Sequence, residues 1–151
     1  MGIKLIVENK KARFDFHINE TFEAGLVLLG SEVKSLRQGN AQIKDAYIAF
    51  VGSEIFLQKS NIAPYAASSY NNHHPERLRK LLLNRNEINK IYAATEEKGM
   101  ACVPLKLYFK DGLVKVEIAI AKGKKKGDKR DAIKTRDVNR EMSRALRHGR
   151  D

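Results

Sequence analysis

Tryptophan is absent from this chain of 151 residues, and it has one cysteine and three prolines. A lone thiol, Cys102, excludes an internal disulfide framework. Cys102 stands beside Val103 in an apolar run, which reads as a small buried hydrophobe rather than a reactive nucleophile. No apolar stretch approaches the roughly 20 residues that a membrane-crossing helix needs. The first residues, Met1 to Val7, are too short for a secretory leader. These absences lead us to expect a cytoplasmic protein with no membrane partner.

Chemical signatures are missing too. There is no Gly-x-x-x-x-Gly-Lys-Ser/Thr loop to cradle phosphates, and the stretch from Gly123 to Lys126 lacks both that spacing and the following hydroxyl. His73 and His74 are adjacent, so their side chains diverge along an extended chain, and no third ligand stands at a metal-site spacing. His17 and His148 have no carboxylate and nucleophile nearby in sequence. We therefore expect no catalytic residue, no metal and no cofactor, and a binding protein rather than an enzyme. The runner-up is a ribosomal or initiation-type barrel protein that holds ribosomal RNA permanently, and an RNA-processing enzyme is the alternative from a different class.

What the chain has is positive charge. It carries 29 Lys and Arg against 18 Asp and Glu, a net +11. The last thirty residues hold twelve of the basic groups against five acids and so account for +7. Such an excess suits a polyanion, either nucleic acid or an anionic membrane surface. The division of charge suggests two parts, a head over residues 1–121 and a basic C-terminal tail over 122–151.

In the head, Ala12, Phe14, Phe16 and Ile18 alternate with Arg13, Asp15 and His17, a period of two that predicts a half-buried strand. A turn is expected at Asn19-Glu20. A second alternating run, Phe22 to Leu28, contains Gly25, which marks a bulge or a close approach by another backbone. Ser31 is placed to cap a short helix that Gly39 ends. Runs flanking Gly52-Ser53-Glu54 predict an antiparallel hairpin. Asn61 to Pro75 reads as a long connection, loosely ordered over Ser68–His74. Asn84 and Glu87 have capping-box spacing ahead of Ile88, Ile91, Tyr92 and Thr95, with Gly99 as the stop. The last hairpin places Leu105, Leu107 and Phe109 opposite Val114, Val116, Ile118 and Ile120 across a three-residue Lys110-Asp111-Gly112 loop. About six antiparallel strands with two helices predict a mainly β fold, a small closed barrel with flanking helices.

On that hairpin Lys106 and Tyr108 turn outward with Lys115 and Glu117. This is either a platform on which a base stacks on Tyr108 between lysines, or an ordinary solvated strand face. Arg77-Leu78-Arg79-Lys80 forms a second basic cluster, and one leucine of Leu81-Leu82-Leu83 is expected at a contact surface. Glu23, on the polar side of its strand, either accepts hydrogen bonds from base amino groups or 2′-hydroxyls, or forms a surface ion pair. In the tail, Val138, Met142, Ala145 and Leu146 recur at helical spacing behind Asp128 as cap. Self-repulsion and a narrow apolar stripe predict a tail disordered when free and helical when bound along a polyanion, with Gly123 and Gly127 as the hinge.

Six segments in order carry a family resemblance: Asn9-Lys10-Lys11-Ala12-Arg13, Glu23-Ala24-Gly25-Leu26, Gly30-Ser31-Glu32-Val33-Lys34-Ser35-Leu36-Arg37, Arg79-Lys80-Leu81-Leu82-Leu83, Ala121-Lys122-Gly123-Lys124-Lys125 and Asp128-Lys129-Arg130. The chain resembles the small protein B family, the SsrA-binding proteins of bacterial trans-translation, over nearly its whole length. The resemblance implies an oligonucleotide-binding-type barrel, expected to be monomeric. It also implies binding to the tRNA-like domain of transfer-messenger RNA (tmRNA) and entry with it into stalled ribosomes. It assigns RNA contacts to Glu23, Leu82 and Lys115, to which the residue reading adds Lys106, Tyr108, Arg79 and Lys80. The resemblance places the tail in the small-subunit decoding centre and empty mRNA channel, with its motif at Asp128, Lys129 and Arg130. The tail residues expected to act there also include Lys124, Lys125, Lys134, Arg136, Arg140, Met142, Arg144 and Leu146. One departure stands out: the residue before Asp128 is often aromatic or histidine in the family, and here it is Gly127.

A peptide spanning residues 123–151 should show little helical circular dichroism in buffer and gain it on adding RNA. A strongly helical free peptide contradicts folding on binding.

Overall fold

The computed structural model describes residues 2–65 and 72–124, in the order β1 (Ile3–Glu8), α1 (Lys10–Asp15), β2 (Phe16–Leu26), α2 (Gly30–Arg37), β3 (Ala41–Gln42), β4 (Tyr47–Val51), β5 (Glu54–Gln58), β6 (Asn61–Ile62), β7 (Arg79–Leu82), α3 (Arg85–Thr95), β8 (Met100–Lys110) and β9 (Leu113–Gly123). Seven strands form one antiparallel sheet in the order β1-β8-β9-β2-β7-β5-β4, and β3 pairs with β6 beside it. The sheet curls until β4, at one end of that order, comes back against β8. This is the small antiparallel barrel with flanking helices expected from the sequence.

Inside the curl, Ile55, Leu57, Leu81, Ile91, Leu107, Val116 and Ile118 form the main core. A smaller cluster of Ala12, Val103, Leu105, Ala119 and Ala121 lies beneath α1. The two clusters together bury β9 continuously from Ile118 to Ala121. Cys102 belongs to the main core, and burial pushes its thiol up to about 12, which leaves it protonated and inert.

Several expectations are corrected. Residues 12–15 are helix, not strand, because Asn9 overrides the local alternation. Its side-chain oxygen accepts from the Ala12 amide at 3.1 Å, while its amide nitrogen donates to the carbonyls of Ile43 and Pro104. This N-cap is buried and tied to two distant segments, so the helix starts there and Ala12 packs inward. No turn interrupts β2 at Asn19-Glu20; the register with β9 shifts between Ile18 and Glu20, a bulge within one long strand. The last hairpin turns on two residues, not three. Asp111 and Gly112 both have positive φ (51° and 81°), and Lys110 already pairs with Leu113. Ser31 does not cap α2; Glu32 accepts the Leu29 amide at 2.7 Å, and the Ser31 hydroxyl bonds His73 Nδ1. Gly123 is no hinge: it pairs with Phe16 and donates its amide to the Gly99 carbonyl. Within the long connection, Asn61–Ile62 is strand and His73 is buried; Ser68–Asn71 lie outside the described residues. Helix α3 follows its expectation, with both bonds of the Asn84–Glu87 capping box formed.

The connection is held by a buried ion cluster. Arg79, fully enclosed at the start of β7, uses all five donors. Nε bonds Glu32, Nη1 reaches the Ser60 carbonyl and hydroxyl, and Nη2 reaches the carbonyls of His74 and Pro75. Glu32 also takes Arg77 at 2.6 Å. Burial alone pushes the Glu32 carboxyl up, but bonds from Arg77, the Leu29 amide and Arg79 outweigh it and hold the group below its ordinary range.

Glu32→Ala strands a buried guanidinium and should cost about 3–5 kcal/mol in urea unfolding. Because the folded carboxyl is depressed, its stabilisation is present above the ordinary value of 4.5 and is lost as pH falls through the folded value. The urea midpoint should drop below pH 4.5 in the parent chain and depend less on pH in Glu32→Gln.

Candidate nucleic-acid interface

Residues directly opposite one another on neighbouring strands project from the same face of a sheet. Following the register across the exterior gives a single row over five strands: Leu5 on β1 faces Tyr108 on β8, Tyr108 faces Lys115 on β9, Lys115 faces Gly25 on β2, and Gly25 faces Leu82 on β7. The adjoining row carries Glu23, Glu117 and Lys106. Residues expected from separate parts of the sequence therefore share one patch, and Glu23, Leu82 and Lys115 lie within it.

Gly25 makes this arrangement possible. A Cβ there would stand 3.3 Å from the Leu82 Cβ and 3.5 Å from its Cδ1, so the leucine lies across the bare glycine backbone. What comes close at Gly25 is the Leu82 side chain, not the backbone that the sequence pointed to. Of the three consecutive leucines, Leu81 is buried in the core and Leu82 is 54% exposed, an outlying apolar residue on the barrel exterior.

Glu23 is exposed and heavily engaged. The Tyr108 hydroxyl donates to its Oε2 at 2.5 Å, and Lys110 Nζ lies 3.2 and 3.3 Å from its two oxygens. The Tyr108 bond is the main reason its carboxyl sits below the ordinary range; burial opposes it, and Lys110 and Lys115 add to it. The Tyr108 hydroxyl is pushed up, first by burial and then by the Glu23 carboxylate. An ionised carboxylate is an acceptor only. Against RNA it therefore suits amino groups, imino N–H groups and 2′-hydroxyls, while Lys115 beside it suits phosphate.

Two expected contacts are corrected. Tyr108 points to the exterior but is only 3% exposed, with Leu5 on one flank, Lys115 on the other and Lys106 Nζ 5.5 Å from its ring centroid, so it offers no open face for base stacking. Arg79 is interior, its five donors spent on the Glu32 cluster, and it presents nothing to a partner. Lys80 stays at the surface, 3.3 Å from Glu54, an exposed pair that is weak and exchanges readily for phosphate, and the half-buried Lys106 lies 3.6 Å from Glu117. Lys110 was missed by the sequence reading. The outward alternation of Lys106 and Tyr108 continues to it, so the signal was available.

His73 is a structural residue. Ser31 bonds its Nδ1 at 2.9 Å and the Ile62 carbonyl lies 2.8 Å from its Nε2, so Nε2 donates and Nδ1 accepts in the neutral ring. Among the described residues no group of three His, Cys, Asp or Glu is placed to hold a metal, and no helix is long and apolar enough to cross a membrane.

At the far end of β9, Lys124 donates its amide to the Asp15 carbonyl at 2.8 Å and its ammonium to the Arg13 carbonyl at 3.4 Å, fastening the root of the tail beside α1. Lys125, Asp128, Lys129, Arg130, Lys134, Arg136, Arg140, Met142, Arg144 and Leu146 lie outside the described residues, as does the expected hinge residue Gly127.

The profile of the family described as "SmpB protein" matches residues 6–148. An SsrA-binding protein of Bdellovibrio bacteriovorus is 60% identical over 149 residues, 99% of this chain and 98% of its own length. An SsrA-binding protein of Syntrophobacter fumaroxidans is 54% identical over 97% of this chain and 91% of its own. A solved chain described as "tmRNA-SmpB: a journey to the center of the bacterial ribosome" superposes with a TM-score of 0.68 at 42% identity, covering 84% of this chain and 93% of that one. With a family profile spanning almost its whole length and relatives this similar, the chain belongs to the SmpB protein family.

Proposed function

We propose that this protein is an RNA-binding adaptor that holds the tRNA-like domain of tmRNA on the barrel exterior and brings it to stalled ribosomes for trans-translation. The observation that carries the reading is the pair of adjoining exterior rows, which together set an acceptor (Glu23), an apolar contact (Leu82) and a cation (Lys115) on one face. The names of the similar proteins, SsrA-binding protein and tmRNA-SmpB, point the same way. Lys80, Lys106 and Lys110 rim the patch and favour a polyanion. The protein's part is positioning: the head binds the folded RNA, and the residues after Lys124, with ten basic groups against five acids, enter the mRNA channel at the decoding centre. No step of bond making or breaking is assigned to it.

Each element of this reading has its own test. Glu23→Ala should weaken binding to the isolated tRNA-like domain about tenfold, the effect of losing a hydrogen bond to a charged group. Lys115→Ala should weaken binding and flatten the salt dependence of log K by about one unit of slope. If both variants bind like the parent at physiological salt, the patch is not the RNA site. Ending the chain after Lys124 keeps the bonds to Asp15 and Arg13, so the truncated protein should bind tmRNA normally and fail to support tagging on stalled ribosomes. Loss of tmRNA binding on truncation overturns the division of work between head and tail.

A further inference from the structure

We infer that Tyr108 is the positioning residue of the RNA surface: its hydroxyl, held inside the outer wall of the barrel, fixes the orientation of the Glu23 carboxylate that meets the RNA. The inference rests on the reading of Glu23 as an RNA contact and adds the device that makes an exposed glutamate usable as one.

A lone carboxylate on an RNA-binding face is unfavourable in two ways. It repels phosphate, and a glutamate side chain in water samples many rotamers, so its ordering counts against any bond it forms. Both difficulties are met on this surface. Lys110 lies 3.2 and 3.3 Å from the two Glu23 oxygens and offsets their charge locally. Tyr108 supplies the fixed point. Its ring is only 3% exposed and is flanked by Leu5 and Lys115 in the same row. A ring confined in this way holds its hydroxyl still, whereas Lys110 is 42% exposed and its ammonium sits on a long flexible stem.

The geometry also explains why a tyrosine is enclosed on an exterior face. A buried tyrosine hydroxyl needs a polar partner, and the hydroxyl donates to Glu23 Oε2 at 2.5 Å. That bond spans from β8 across β9 to β2, so both side chains reach over the middle strand and meet above it. With Oε2 held by the phenol, Oε1 takes the outward acceptor role. Residues 108 and 23, 85 apart in sequence, then act as one unit in which phenylalanine does not replace tyrosine.

The test uses the full-length protein and a transcribed tRNA-like domain of tmRNA. Tyr108→Phe keeps the ring and its packing and removes only the bond. It should weaken RNA binding about tenfold, as expected for a hydrogen bond to a charged acceptor. In a Glu23→Ala background the same substitution should change affinity less than twofold, because no acceptor is left for the phenol to orient. A carbon-detected NMR titration of the Glu23 carboxyl, in protein without RNA, should move to higher pH in Tyr108→Phe, since the phenol is the first of the groups that lower it. The low-pH limb of RNA binding should move in the same direction. A thermal melt of each variant separates these effects from loss of fold, and the carboxyl titration reads the pairing in any variant that stays folded.

Three results overturn the inference: Tyr108→Phe binding like the parent, an equal loss of affinity with and without the Glu23 carboxylate, or an unmoved carboxyl titration. Glu23→Ala binding like the parent is a separate failure. It removes the assignment of Glu23 as an RNA contact, and with it any role for Tyr108 in RNA binding.

Discussion

The buried pair of Glu32 and Arg79 is the constraint on which the rest of the barrel depends. Strand β7 is only four residues long and follows a long connection, so its pairing with β2 and β5 has little to hold it by itself. Arg79 anchors its first residue to helix α2 through Glu32, to the end of β5 through Ser60, and to the incoming loop through His74 and Pro75. A hydrophobic residue at position 79 would pack, but it would specify none of these three attachments. Charge burial costs desolvation energy, and here every donor of the guanidinium is matched, the condition under which such a cluster is tolerated and specifies one arrangement.

The exterior patch inherits that specification. Leu82 stands three residues along from Arg79 on the same short strand, and it lies over Gly25 only because β7 is docked at that height against β2. Glu32 thus shapes the barrel exterior without taking part in it, and the basic cluster of the sequence divides into an interior arginine and an exterior lysine. The family resemblance extends through Glu32 and Arg79 as well as through the surface residues. The segments that carry it thus include both the exterior residues and the support beneath them.

Much of this was legible from the residues alone. The capping box at Asn84, the alternation along β8 and β9, the glycine at position 25 and one outlying leucine among three are local signals, and each reports a local fact. What was not legible depends on contacts distant in sequence. The strand read from Ala12 to Ile18 begins only at Phe16, because the Asn9 side chain is fixed by Ile43 and Pro104, 34 and 95 residues away. Tyr108 was correctly turned outward by periodicity, but periodicity does not know that β1 pairs alongside it or that Glu23 reaches its hydroxyl. Arg79 lies on the same face of β7 as the buried Leu81, opposite Lys80, and only the acid carried on α2 makes that interior position habitable for a guanidinium.

Strand β9 joins the two working ends of the molecule. It carries Lys115 in the exterior row and ends at Gly123, where the tail is fastened. Eight residues of strand separate them, about 26 Å at roughly 3.3 Å per residue. Over that length β9 is hydrogen-bonded on both sides, by β8 and by β2, and it does not flex independently. The barrel is therefore a caliper. Its jaws are the exterior row at Lys115 on one side and the root of the basic segment on the other, and their separation is set by strand geometry rather than by linker slack. A rotation of the exterior face is delivered to Lys124 as a rigid displacement, so the distance between the two ends is built into the fold.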